Sequence, residues 1–175
     1  MGHIVVTNNI VRSFDEIIEI DPYDQKYIGL LNEYDQENST SYCSILESIN
    51  NGISEQEYEL YRMTSPVFKT IFCNYDGKRI SNVCLVEYQT DLKCFKMYID
   101  DKNKEIYGGM TNYAFNNLGM KEVIVLVDKN KRSIINDLIG KDYIPLYDNY
   151  DSDSLVPFIK DKEDYLNTSK NIICV

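Results

Sequence analysis

The chain has 175 residues, 43% hydrophobic and 12% aromatic, which is enough for a sizeable core and too apolar for a disordered chain. Its formal charge of −10 is unevenly spread: residues 1–62 carry three basic and twelve acidic side chains, residues 100–145 seven of each. No stretch offers the cationic face nucleic acid needs, no apolar run reaches membrane-span length, and a single histidine, His3, argues against the usual zinc sites and His-based triads.

Residues 1–15 read as an arm, with β-prone residues 4–11 interrupted by Asn8-Asn9. The first predicted strand of the body is 17–20. Asp21-Pro22 then has the form of an N-cap with proline at the first helical position, and Tyr27, Ile28, Leu31 and Tyr34 recur at helical spacing, which predicts a helix over 22–34. Tyr42, Ile45, Leu46 and Ile49 make a second stripe, stopped by Asn51-Gly52. Ser54-x-x-Glu57 is a capping box for a third helix ending at Arg62. Pro66 breaks the pattern. Strands follow at 67–73, 80–88 and 93–99, with Asp76-Gly77 and Thr90-Asp91 as their turns, so an antiparallel meander is expected. Met110, Ala114, Phe115 and Leu118 mark a helix over 108–118 that Gly119 ends. Residues 123–127 are apolar throughout and read as a central strand buried on both faces. Ile134, Ile135, Leu138 and Ile139 form the inward stripe of a last helix, and 143–146 and 155–159 are closing strands.

Five cysteines, an odd number without CxxC spacing, suit free thiols rather than disulfides. With no signal segment, a reducing cytoplasm is the expected compartment. Fifteen tyrosines without a tryptophan read as core-edge residues with a polar tip.

The most specific stretch is 121–143. An apolar strand is followed by Asp128-Lys129-Asn130, a helix opened by Arg132-Ser133, and then Gly140-Lys141-Asp142-Tyr143. In this order of elements the chain resembles the GNAT superfamily of N-acetyltransferases, most clearly over 80–143. The resemblance implies one α+β domain over 1–175: a central mixed sheet with an antiparallel meander, flanking helices, an arm at 1–15 and a tail at 161–175. It implies acetyl-CoA as co-substrate and no metal.

The family's diphosphate loop, Gln/Arg-x-x-Gly-x-Gly/Ala, aligns with Glu105, Gly108 and Met110 and leaves Gly109 between the last two. Lys102 and Lys104 would supply charge, opposed by Asp100, Asp101 and Glu105. A solvated loop with a Gly-Gly helix start is the competing reading. The resemblance places pantetheine in a splay between strands 93–99 and 123–127, bonded to the backbone of Phe95, Lys96, Met97, Tyr98 and Ile99. It makes Asn130, with Ser133 at the helix start, a cofactor contact; an N-cap is the alternative for Asn130.

Glu87 is the candidate base, desolvated if its strand is flanked on both sides. The alternative is a surface pairing with Lys93 or Lys96 across the hairpin. The family's acid tyrosine aligns with Asp137 or Leu138. Tyr143 is the nearest candidate, against a plain packing role, with Tyr147 and Tyr150 as substitutes. The acceptor implied is a primary amine, either a small molecule or a peptide N-terminus or lysine, approaching over acidic residues 24–62. A GNAT-like module without catalysis, binding a partner through its acidic, tyrosine-rich face, is the second reading. The apolar run 172–175 makes a homodimer contact a candidate.

Overall fold

Alternating apolar and polar residues become a meander in the computed structural model, which describes residues 3–7, 10–14, 16–146 and 154–166. In chain order the elements are β1 (His3–Thr7), β2 (Ile10–Phe14), β3 (Glu16–Glu19), α1 (Gln25–Asn38), α2 (Tyr42–Asn50), α3 (Glu55–Thr64), β4 (Val67–Tyr75), β5 (Ile80–Gln89) and β6 (Cys94–Ile99). They continue with α4 (Ile106–Asn116), β7 (Glu122–Asp128), α5 (Arg132–Gly140), β8 (Ile144–Pro145) and β9 (Leu155–Asp161). β1 and β2 pair as a hairpin of their own, and the other seven strands form one sheet in the order β3-β4-β5-β6-β7-β9-β8. Among the described residues only β6 and β7 run parallel; every other pair is antiparallel. This is the mixed α+β sheet the sequence implies. Expectations on Asn8-Asn9, Tyr147, Tyr150 and 172–175 lie outside the described residues.

Local capping sets the helix ends. Asp21 Oδ1 accepts from the Tyr23 amide at 2.9 Å, while Asp24 caps α1 by accepting from the Lys26 amide at 3.0 Å. The Asp-Pro pair is therefore a turn, and α1 begins three residues later than residue 22. Ser54 Oγ accepts from the Glu57 amide at 3.2 Å, as the capping-box pattern predicts. Asp35 on α1 is buried; it accepts from the Tyr42 and Cys43 amides at 2.9 and 2.8 Å and so caps the neighbouring α2 from outside. The Arg62 guanidinium on α3 forks onto Glu19 of β3, whose Oε2 also accepts from Thr70 Oγ1 at 2.7 Å.

Two apolar clusters lie on opposite faces of the sheet. Ile20, Leu31, Leu46, Ile71 and Val83 join α1 and α2 to β4 and β5. On the other face, α4 and α5 pack Met110, Phe115, Ile134 and Leu138 onto Phe95, Met97 and Val125. Fully buried phenylalanines such as Phe72, Phe95, Phe115 and Phe158 each contribute about 1.5–3 kcal/mol of transfer free energy. β7 departs from expectation. Val123, Val125 and Val127 are buried, but Ile124 and Leu126 are only half-buried, because α1 and α2 pack over β4 and β5. α4 crosses toward β3, and a Cβ on Gly109 would meet Ile17 Cδ1 at 3.3 Å. That tightness leaves little room for a side chain at Gly109.

The β5–β6 register stops at Val86↔Met97, short of the end of β6. Buried Asn103 fills the opening: its Nδ2 donates to Val83 O at 2.8 Å and Tyr98 O at 3.2 Å, and its Oδ1 accepts from the Asp100 amide at 2.7 Å. Asn103→Ala would leave these backbone groups unpaired. We expect it to lower the unfolding free energy by about 2–3 kcal/mol in urea titration; a change under about 0.5 kcal/mol would mean water or a neighbour replaces the amide.

Candidate functional site

The C-terminal ends of β6 and β7 are flanked by a cavity on each face of the sheet. On the α4–α5 face, a cavity of about 470 Å³ is lined by Lys104, Glu105, Tyr107, Gly108, Ser133, Ile134, Asp137 and Lys141. The first turns of α4 and α5 both border it, and neither helix has a side-chain N-cap bond. Uncapped first-turn N–H groups and the positive helix ends favour an anion there. Lys104 and Lys141 add positive charge, while Glu105 and Asp137 subtract from it. Tyr107 Oη donates to Asp137, and Lys141 Nζ lies 3.2 Å from the same carboxylate and 5.1 Å from the centre of the Tyr107 ring. This donor set suits a diphosphate, with Lys104, Lys141, Ser133 and the Gly108 turn as the groups that would hold it.

The opposite face carries a cavity of about 510 Å³, lined among others by Ser39, Tyr42, Ile45, Leu85, Tyr98, Asp100, Leu126, Asp128 and Leu155. Asp100 and Asp128 each follow the last residue pair of the parallel ladder, Ile99↔Val127. Burial, reinforced by Asp100, pushes the Tyr42 phenol well above its ordinary range. Burial also raises Tyr98, with Glu87 adding to it. Further along the same face, Ile45 and Leu85 also line a cavity of about 540 Å³ bordered by Glu87, Lys69 and Tyr61. The two spaces thus share a wall.

The expected site residues divide between these places. Lys104, Gly108 and Ser133 line the anion-favouring cavity. Lys102 does not: its Nζ donates to Asn38 O at the end of α1, at 2.5 Å, so its charge is spent on the other face. Met110 is wholly buried in the core, and Gly109 packs toward Ile17. Asn130 is exposed and caps nothing; its amide donates to Asp128 Oδ1 at 2.8 Å, and Lys131 stands at the N-cap position.

The expected splay between β6 and β7 is closed. They pair from Cys94↔Glu122 to Ile99↔Val127, so the β6 edge facing β7 is taken along Phe95, Met97, Tyr98 and Ile99. The side chains of Phe95, Met97 and Ile99 are buried on the α4–α5 face, whereas Tyr98 lines the acidic cavity. Glu87 is half-buried; it lies opposite Lys96 in the register, with the two charges 3.8 Å apart. The cross-hairpin pairing therefore exists, and Glu87 still borders a cavity. Tyr143 is buried beneath Tyr107 at a ring separation of 5.7 Å, and its hydroxyl lies 2.6 Å from Thr111 Oγ1. That is a core position, the packing alternative for Tyr143. The sequence reading did not place Tyr42, Asp100 and Asp128 beside one cavity; the available signal was an aspartate directly after each of two apolar parallel strands.

No family model and no curated protein sequence matches the chain. Solved structures do. FdhC, a nucleotide-linked sugar GNAT, superposes in its apo form with a TM-score of 0.55 at 14% identity, over 91% of this chain and 93% of its own. The N-acetyltransferase PseH of Campylobacter jejuni gives 0.51 at 10% identity, over 85% and 98%, and has also been solved in complex with acetyl coenzyme A. The spermidine N-acetyltransferase of Vibrio cholerae gives 0.52 at 11% identity, over 89% and 98%. The chain therefore has the GNAT N-acetyltransferase fold. Among the described residues no three His, Cys, Asp or Glu side chains gather as a metal site, and no helix is long and apolar enough to cross a membrane.

Burial also fixes the alkaline behaviour. It pushes the Cys73 and Cys84 thiols up to about 12 and those of Cys43 and Cys94 up to about 11, against an ordinary 9.0. Tyr143 is pushed up to about 12 from 10.0, again by burial. A raised native value means the folded state keeps protons that the unfolded chain releases, so stability is full below pH 9 and falls as pH rises through 11–12. Thermal melts should be flat from pH 7 to 8.5 and decline above 9, by up to about 1.4 kcal/mol per pH unit for each thiol. A melting temperature unchanged at pH 11 would contradict the burial of these groups.

Proposed function

We propose that the protein is an acetyl-CoA-dependent N-acetyltransferase that acts on a small-molecule primary amine by direct attack within a ternary complex. The observation that carries this reading is the pair of cavities on opposite faces of the sheet at the ends of the parallel strands β6 and β7, one suited to a diphosphate and the other acidic. In open sheets, ligands gather at such strand ends. The neighbouring structures named for N-acetyltransferases add support at the level of fold.

Acetyl-CoA, when bound, supplies the acetyl group as a thioester. Lys104, Lys141, Ser133 and the first turns of α4 and α5 would hold its diphosphate, with Lys141 standing 3.2 Å from Asp137. Because β6 and β7 are paired to their ends, the way between the two cavities runs around those ends, past Asp100 and Asp128. Glu87 is the base: it takes the proton that the attacking amine gives up, through water along the groove walled by Leu85 and Ile45. Lys96 lies 3.8 Å from that carboxylate across the hairpin. Loss of the thiolate needs no strong acid, so the core position of Tyr143 does not oppose the reaction.

Calorimetric titration with acetyl-CoA should show one site of micromolar affinity. In the presence of an accepted amine, Glu87→Gln should lower kcat by about 10²-fold or more, with a melting temperature within about 2 °C of the parent, as expected for an isosteric change at a half-buried position. No acetyl-CoA binding at millimolar ligand would sink the transferase reading and leave a GNAT-fold binding module.

A further inference from the structure

We propose that Asp137 makes the cavity between α4 and α5 select by charge: it admits the doubly esterified diphosphate of acetyl-CoA and disfavours the more highly charged free nucleotides ADP and ATP. This rests on the transferase reading above and adds the residue that sets its cofactor specificity. The lining holds two ammonium groups, Lys104 and Lys141, and two carboxylates, Glu105 and Asp137. A space that served only to attract phosphate would have no use for the carboxylates, so what holds each of them decides what it does.

Glu105 is able to leave. It directly precedes α4, is exposed and makes no side-chain capping bond to that helix, so it turns to solvent when an anion enters. Asp137 is not. Tyr107, only 3% exposed, donates its hydroxyl to Asp137 Oδ2. The phenol is fixed in turn: its ring lies 5.7 Å from that of Tyr143, and Thr111 Oγ1 donates to the Tyr107 carbonyl at 2.7 Å. Losing its acceptor would cost this buried hydroxyl its hydrogen bond, so the carboxylate stays and its charge stays in the lining.

Lys141 is held far less firmly. Its Nζ stands 3.2 Å from the same Oδ2, one turn along α5, and more than half of its side chain is exposed. Exposed pairs at this spacing are weak. An entering phosphate therefore draws Lys141 away from Asp137, while the carboxylate remains on Tyr107 and repels the newcomer in proportion to its charge. At neutral pH a diphosphate esterified at both ends carries roughly two negative charges and a terminal triphosphate roughly four. On a free-energy scale the same carboxylate thus penalises ATP about twice as much as the diphosphate of acetyl-CoA, whose 3′-phosphate is set apart from it by the ribose. Acetyl-CoA also brings a pantetheine arm that free nucleotides lack, and contacts to that arm offset the smaller penalty.

The test is calorimetry of the full chain, of Asp137→Asn and of Asp137→Glu with acetyl-CoA and with ATP, at pH 7.5 and without magnesium so that ATP keeps its charge. Asp137→Asn removes the charge but keeps an oxygen for Tyr107; Asp137→Glu keeps the charge. In Asp137→Asn, acetyl-CoA should bind about threefold and ATP about tenfold more tightly, the second being near the square of the first. Asp137→Glu should leave ATP as weak as in the parent. Lost packing does not tighten a ligand, so a purely structural role for Asp137 predicts none of this. Equal gains for both ligands, unchanged or weaker ATP binding in Asp137→Asn, or a gain in Asp137→Glu matching that in Asp137→Asn overturns the charge filter. If acetyl-CoA still binds the parent in those cases, the transferase reading stands. Acetyl-CoA binding to none of the three proteins overturns both, so the two failures are distinct.

Discussion

The parallel pairing of β6 with β7, closed from Cys94↔Glu122 to Ile99↔Val127, requires a crossover connection, and that crossover is α4. Both strands then end on the same side of the molecule, and the helix that follows each one starts there. The uncapped N-termini of α4 and α5 are brought to one cavity for this reason alone. The same register sets Asp100 beside Asp128 on the opposite face. One ladder therefore sorts charge into two spaces: helix N-termini and lysines on one side, carboxylates and a helix C-terminus on the other.

Asn103 limits how that ladder can move. β6 is bound on one edge by β7, and beyond Met97 its other edge is held by an amide that reaches across to Val83. The strand end is thus gripped on both sides. Tyr107 grips the next layer, with its hydroxyl on Asp137 of α5 and its backbone carbonyl on Thr111, which in turn meets Tyr143. The polar groups that could have made a site at Tyr143 are used to lock α4 onto α5.

Much of the fold was legible because local and tertiary signals agreed. The Ser54 cap, the apolar stripe of α5 and the meander turns each need only nearby residues, and each appears where the pattern predicted. The misreadings arose where a second carboxylate or a distant partner decided the outcome. Asp24 competed with Asp21 for the start of α1, and Asp128 holds the turn at Asn130, for which an N-cap was the alternative reading. Glu87 drew attention as a candidate because a carboxylate on a strand is unusual enough to notice. The contact of Lys102 with Asn38 was not legible because nothing in its own loop reveals that the end of α1 lies within reach. The half-burial of Ile124 and Leu126 could not be inferred from their hydrophobicity, since coverage depends on how far α1 and α2 extend across the sheet.

The buried thiols have a practical consequence. Alkylating and disulfide reagents attack thiolate, and a thiol held protonated inside a core is inert to them. Cys73, Cys84 and Cys94 have side chains shut away in the sheet, so they become reactive only when that sheet opens. A colorimetric thiol reagent added to this protein thus acts as a clock for global opening. The number of slow equivalents counts the core strands that must come apart together.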